Sequence, residues 1–354
     1  RWNSERPYEL VYFRGKTSGL LLLSVHHLIF DYYSLLNFME ELDIRYRSHL
    51  PEADNNFFRD YASAYAKIAR SDSVMSRARF WDDYLSESVC CDWAHNPQIN
   101  RELSADIAGR GTVTDLAGEE AGDKDGNGIG DKGGERHFHY MLSGKMLADM
   151  RKFCRQTKTG EFAALFSLMI SLMEKDESHA LLFYTSGRSM LKPMNTIGFF
   201  SFLLPFITEK GMPEAEDFVS MARHVEKKLA ELRDAEHGFE AMRNKALKNI
   251  LIAESAIFDY QKLYSRRSGS LWKKILPYEC IGVCNPFAFR IFDYGDEAEI
   301  SVIYNRRTMT DDDIRKLVQS YVQMWDKTFC ADTFCTGYGN KTFLTLKEED
   351  YGTV

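Results

Sequence analysis

The sequence predicts an α/β protein in two lobes. Strand-like and helix-like patterns alternate through both halves without a repeat, and a glycine-rich, acidic stretch separates the halves. At 354 residues the chain is long enough for one large two-lobed domain or two ordinary ones. Its composition, 44% hydrophobic and 27% charged, is that of a globular protein with ample core.

The first half opens on strands. Val11-Tyr12-Phe13 and Leu20 to Val25 flank Lys16-Thr17-Ser18-Gly19, which predicts a β-hairpin. The second strand is apolar on both faces, as expected of a central strand covered on two sides. It ends at His26-His27-Leu28-Ile29-Phe30-Asp31-Tyr32. After Asp31 the spacing turns helical, with Leu35, Met39, Leu42 and Tyr46 on one stripe, and Pro51 closes that unit. A second helix is expected from Phe57, with Tyr61, Tyr65 and Ile68 in register. Ser71-Asp72-Ser73 breaks it before a further turn or two carrying Ala78, Trp81 and Leu85.

Residues from about Asn96 to Arg136 form the one low-complexity region, a linker with glycines and acids crowding Gly118 to Gly134. Beyond it a strand is expected from His137 to Leu142, then a helix from Ser143 to Arg155 with Ser143 as N-cap. An apolar helix, Glu161 to Met173, and a strand, Ala180 to Thr185, follow. Phe218, Met221, Val225, Leu229 and Leu232 mark a long amphipathic helix. Phe287 to Tyr294 and Glu299 to Tyr304 predict a hairpin. The last helix starts at Thr310 and carries Ile314, Leu317, Tyr321 and Trp325.

Charge and cysteine usage exclude several function classes. A net charge of -7 with no basic, aromatic-interleaved patch argues against a nucleic-acid partner. No apolar stretch reaches the length of a membrane span, so no membrane association is expected. Seven scattered cysteines suit reduced thiols and a cytoplasmic setting. Cys90 and Cys91 are adjacent, and Cys280 and Cys284 lack a second pair at zinc spacing. Asp123-Lys124-Asp125-Gly126-Asn127-Gly128-Ile129 opens like a calcium loop, but its apolar residue falls one place early and its twelfth position is Gly134. His137 and His139 alternate on a strand with no third ligand after them. No metal is expected, and Gly126 to Gly130 lacks the lysine and serine of a phosphate loop.

The candidate chemistry sits at His26 and His27. A histidine where a buried strand ends can face a cleft while the strand holds it, which suits a general base. Alone, two histidines and an aspartate are a weak signal; their neighbours strengthen it. Phe57-Phe58-Arg59-Asp60-Tyr61-Ala62 through Arg79-Phe80-Trp81-Asp82-Asp83-Tyr84-Leu85, Tyr184-Thr185-Ser186-Gly187-Arg188, Ile197 to Pro205 and Glu236-His237-Gly238-Phe239-Glu240 come after it in order. Together with the histidine motif these segments resemble the condensation domains of nonribosomal peptide synthetases, over about residues 8–95 and 136–330. They are similar to that family's HHxxxDG, "DYA…YW…L", "GR", "GxFVNTLP" and "QDxPFE" motifs. Tyr32 stands where the family has glycine, and Phe202-Leu203 where it has Asn-Thr.

The resemblance implies a two-lobed, chloramphenicol-acetyltransferase-like α/β fold with mixed sheets and an active-site tunnel between the lobes. It divides the chain into a partial first lobe (1–95), the linker (96–136), a second lobe (137–330) and a connector toward a following domain (331–354). The opening at Arg1, close to a strand, implies a fragment cut inside the first lobe. The implied activity joins a carrier-bound acyl or peptidyl thioester to the amine of a carrier-bound aminoacyl thioester. His27 matches the motif's second histidine and acts on the amine as base or by positioning it. His26 is expected to pack or hydrogen-bond locally. Asp31, a candidate N-cap on its own sequence, is implied to pair with an arginine, Arg188 or one from a missing segment. Tyr32, Gly198, Ser201 and Phe202 are placed along the tunnel. Tyr32's ring either enters the tunnel or turns toward the core.

No cofactor is expected on the domain itself, because both substrates travel on the phosphopantetheine of carrier proteins. The expected partners are peptidyl or acyl carrier domains and an adjacent adenylation domain. Two other readings remain open: a catalytically inactive domain of the same fold that docks carriers, and an acyl-CoA-dependent acyltransferase of the same superfamily.

Overall fold

The computed structural model describes residues 7–48, 57–69, 71–85, 135–173, 178–189, 195–208, 217–242, 245–265, 269–277, 285–306 and 308–330. Pro51, Cys90, Cys91, Cys280, Cys284, the calcium-loop look-alike, nearly all of the expected linker and the expected connector lie outside these residues.

A six-stranded mixed sheet organises the second half. Its strands are β3 (Glu135–Leu142), β4 (Ala180–Thr185), β5 (Phe202–Ile207), β6 (Ala256–Lys262), β7 (Phe287–Asp293) and β8 (Ala298–Asn305), in the order β3-β8-β7-β6-β4-β5. β4, β6 and β7 run parallel at the centre, with antiparallel neighbours at both edges. The expected hairpin is β7 and β8, with Phe287 opposite Tyr304. β5, β6 and the helix α8 (Lys245–Glu254) have no counterpart in the elements expected from the sequence.

One face of this sheet carries the main core. The helices there are α4 (Gly144–Thr157), α5 (Glu161–Ser171), α6 (Phe218–Asp234) and α9 (Asp311–Trp325). α5 is buried from Ala163 to Ser171, so its apolar run reflects burial all round. Ser143 caps α4 by accepting from the Met146 amide. Thr310 and Asp313 form a reciprocal capping box that starts α9. Phe166, Phe183, Phe258, Phe289, Tyr321 and Trp325 fill the space between sheet and helices.

The first half contributes β1 (Tyr8–Arg14), β2 (Gly19–Val25), α1 (Tyr32–Ser48), α2 (Phe57–Ile68) and α3 (Asp72–Tyr84). Far from being one or two turns, α3 is a 13-residue helix capped by Ser71. It packs on α7, the single turn Glu236–Phe239. There Trp81, fully buried, donates its indole N–H to the Ala235 carbonyl at 2.8 Å.

Two expectations are corrected here. Among the described residues β2 is not a covered central strand: it pairs with β1 in a two-stranded sheet, and Leu20 and Leu22 are 56% and 51% exposed. A continuous apolar run shows that both faces could be buried, but covering them requires other elements to lie across them. α1 likewise does not bury the Leu35–Met39–Leu42–Tyr46 stripe, of which Tyr46 is exposed. Its fully buried residues are Ser34 and Asp43. Hydrogen bonds to the second half orient this helix, and apolar spacing carries no information about them.

Removing Trp81 tests whether α3 is part of the main core. Trp81→Ala is expected to cost about 3–5 kcal/mol, the usual range for a buried aromatic, read as a lowered urea midpoint.

Candidate functional site

The polypeptide between β2 and α1 sets the site. β2 ends at Val25, and the His26 amide still bonds to the Pro7 carbonyl at 2.8 Å. His27 to Ile29 then form one 3-10 turn, and the chain re-enters extended backbone at Phe30 before α1 begins. His26 is used locally: its Nδ1 accepts from the Leu28 amide at 3.2 Å.

The His27 ring is exposed, and its Nδ1 lies 2.8 Å from the Phe30 carbonyl. A carbonyl oxygen can only accept, so Nδ1 carries the proton. In the neutral ring Nε2 therefore holds the lone pair. Phe199 stands edge-on to the imidazole, with centroids 5.1 Å apart. Phe199 is exposed, as are Leu28 and Ile29, which follow His27 along the chain.

Asp31, 3% exposed, is the hub behind that turn. It accepts from the Ser34 amide at 2.8 Å, the N-cap geometry of α1. Arg188 grips it with both terminal nitrogens, Nη1 to Oδ2 at 2.8 Å and Nη2 to Oδ1 at 3.0 Å. The Phe200 amide, at 3.0 Å, and the Ser201 hydroxyl, at 3.2 Å, also donate to Oδ2. Burial alone pushes the Asp31 carboxyl up. The Arg188 hydrogen bond, the Ser34 amide, the Arg188 charge and the Phe200 amide together outweigh it and hold the pKa below the ordinary value.

The guanidinium of Arg188 is held in turn by the carbonyls of Ser186 and Thr196 and by the Phe200 ring, 4.4 Å below it. The turn before it requires glycine. Gly187 has φ +62°, and a Cβ there would fall 1.7 Å from the Phe200 carbonyl oxygen. At Gly198 a Cβ would meet the Phe58 ring at 2.2 Å, so glycine lets α2 close on the 196–201 segment.

The expected residues thus separate into groups. His27, Asp31, Arg188 and Ser201 lie in one connected region, and Gly198 joins it through its backbone. Phe202 instead begins β5 and packs edge-on against His237, with centroids 5.1 Å apart. Tyr32 turns its hydroxyl to the backbone of Lys262 on β6.

Ser34, fully buried, has no place in the sequence reading. Its hydroxyl accepts from the Gly198 amide at 2.9 Å and from Arg188 Nη2 at 3.2 Å, and lies 2.6 Å from the Gly198 carbonyl. The one available signal was a serine three places after a candidate N-cap.

The comparisons with known proteins agree with this arrangement. A family model described as Condensation domain matches residues 4–106, the stretch holding the histidine motif and the first three helices. Over that stretch the chain is similar to the condensation domains. No curated protein matches it in sequence. Among solved structures, the SgcC5 protein from Streptomyces globisporus superimposes with a TM-score of 0.65 at 15% identity, covering 92% of this chain and 72% of that one. The condensation domain from the Monacolin K polyketide synthase MokA gives 0.62 at 14%, covering 92% and 73%. The epimerization domain from the third module of tyrocidine synthetase B gives 0.60 at 16%, covering 90% and 71%. At these identities the likeness establishes the fold, and an epimerization domain shares it. Among the described residues no helix is long and apolar enough to cross a membrane, and no cluster of three or more potential metal ligands occurs.

The depressed Asp31 pKa gives a signed expectation. Its stabilising contribution is complete above the unfolded carboxylate value of about 3.9 and is lost as pH falls through the lower folded value. Urea titrations from pH 7 to pH 3 should therefore show an acid loss of stability that is smaller in Asp31→Asn. Arg188→Ala, which strands a buried carboxylate, should cost about 3–5 kcal/mol at pH 7.

Proposed function

We propose that the chain is a condensation domain and forms an amide bond between an acyl or peptidyl thioester on one carrier protein and the α-amine of an aminoacyl thioester on another. The observation that carries the proposal is His27. Its ring is fixed at Nδ1 by the Phe30 carbonyl, it is exposed, and Nε2 is left to handle a proton.

The thioester is already activated, so the domain needs no covalent nucleophile. The amine attacks the carbonyl, the C–N bond forms and the C–S bond breaks. Nε2 of His27 takes the proton shed by the nitrogen and returns it to the departing pantetheine thiolate. An α-amine has a pKa of about 7.7–8.0, so part of it is already neutral near pH 7. Holding that neutral form on a tethered arm makes the attack effectively unimolecular. Asp31 touches no substrate in this reading. Paired with Arg188, it holds the turn that aims His27 and is a positioning residue.

Condensation domains need no cofactor of their own. Carrier domains as partners, an adjacent adenylation domain and a cytoplasmic setting complete the reading, which the motif resemblance supports. A docking-only domain is the second reading; Phe202 and Leu203 at the motif's Asn-Thr positions favour it.

Two carriers loaded from a panel of acyl and aminoacyl groups, followed by intact mass spectrometry, test the proposal. Wild-type protein should move the acyl group to the acceptor carrier. His27→Ala should slow that transfer about 10²–10⁴-fold, the usual worth of general base catalysis, and His26→Ala far less. Transfer that persists unchanged in His27→Ala would refute the assignment. Carrier binding without transfer across the panel would favour docking.

A further inference from the structure

Tyr32 occupies a position where the motif it resembles has glycine, and the structure shows what the added side chain does. β6 pairs with β4 over only three residues, Ala256 to Phe258, yet it continues beside β7 as far as Lys262. Beyond Phe258 the edge of β6 that faced β4 therefore has no strand partner among the described residues. Backbone groups on that edge belong to every second residue, Tyr260 and then Lys262. The Tyr260 amide is met by the Asp259 carboxylate at 2.9 Å. At Lys262 the Tyr32 hydroxyl serves both groups: it donates to the carbonyl at 2.9 Å and accepts from the amide at 3.0 Å. The Tyr32 ring packs on the cluster of Leu263, Phe292 and Tyr294. The tyrosine thus stands in for a strand partner, and its ring points at the sheet. His27 has a different set of neighbours, the Phe30 carbonyl and the Phe199 ring.

Asp31, Tyr32 and Ser34 lie within one helical turn and tether it to three separate parts of the second half. Asp31 reaches Arg188 after β4, Ser34 reaches the Gly198 backbone, and Tyr32 reaches the end of β6. We propose that Tyr32 is a positioning residue: its hydroxyl anchors the first turn of α1 to this edge of β6 and so sets where the His27 turn stands relative to the second half. This rests on the reading of His27 as the proton-handling group. Its consequence runs against the simplest inference from the motif. Restoring glycine at 32 removes a tether and does not clear a path.

Hydrogen exchange resolved to single amides, on wild type, Tyr32→Phe and Tyr32→Gly, tests the anchor without any substrate. Losing the hydroxyl should speed exchange at the Lys262 amide about tenfold, the weight of one to two ordinary hydrogen bonds. The Ile29 and Phe30 amides, which close the histidine turn, should also speed up, while Val302 in the β3–β8 ladder stays unchanged. The His27 imidazole resonances should shift in Tyr32→Phe, and those of His224 on α6 should not. With any carrier pair that supports turnover, both variants should lower kcat and leave KM for the acceptor carrier within about twofold. Unchanged Lys262 exchange, an unmoved His27 signal, or faster transfer in Tyr32→Gly would each overturn the proposal. Exchange and imidazole responses in a protein silent toward every carrier pair would uphold the anchor and count against the amide-forming reading alone.

Discussion

The buried pair of Asp31 and Arg188 is the constraint on which the arrangement of the site depends. Taking both charges out of water costs several kcal/mol per ion, and mutual attraction alone does not reliably recover that. Here the surroundings close the gap. The carboxylate receives two guanidinium bonds, two backbone amides and hydroxyls from Ser34 and Ser201. The guanidinium has carbonyls at its edge and aromatic rings on its faces. The donors come from α1, from the turn after β4 and from the 196–201 segment, so none of these can shift without exposing a charge to an empty, dry site.

That pair lets the histidine stay simple. His27 is not buried and, among the described residues, pairs with no carboxylate; its ring is set by one backbone carbonyl just before α1. A second polar layer lies behind Arg188. The Ser189 amide meets Glu236 at 3.2 Å, and His237 stands between Glu236 and Tyr65. Burial lowers the pKa of His237, against the pull of Glu236, and favours a neutral ring between α2 and β5. The degraded motif around Glu236 thus lies directly beneath the arginine turn.

Much of the fold was legible because local chemistry and tertiary burial agree in the second half. Ser143 and Thr310 marked helix starts through side-chain caps, and Ala180 to Thr185 was bounded as the structure bounds it. Agreement failed where a segment has no strong period. β6 mixes Asp259, Gln261 and Lys262 into a strand, because that end of it pairs with β7 on one edge and has no strand partner on the other among the described residues. α1 misled for the opposite reason: its leucines have helical spacing, but a carboxylate and a hydroxyl orient it. Ser34 was invisible because a serine in a first helical turn is ordinary, and its worth lies in partners more than 150 residues away.

The sequence by itself determined the α/β class, most strand and helix starts, the histidine motif and the arginine turn, since each rests on residues close along the chain. The tertiary structure alone decided three things. Arg188 is the partner of Asp31, Phe202 is turned toward His237, and Tyr32 lies on the edge of β6. Each depends on which distant segment fills a space, and burial, charge pairing and a backbone edge select that segment in three dimensions without leaving a periodic trace in one.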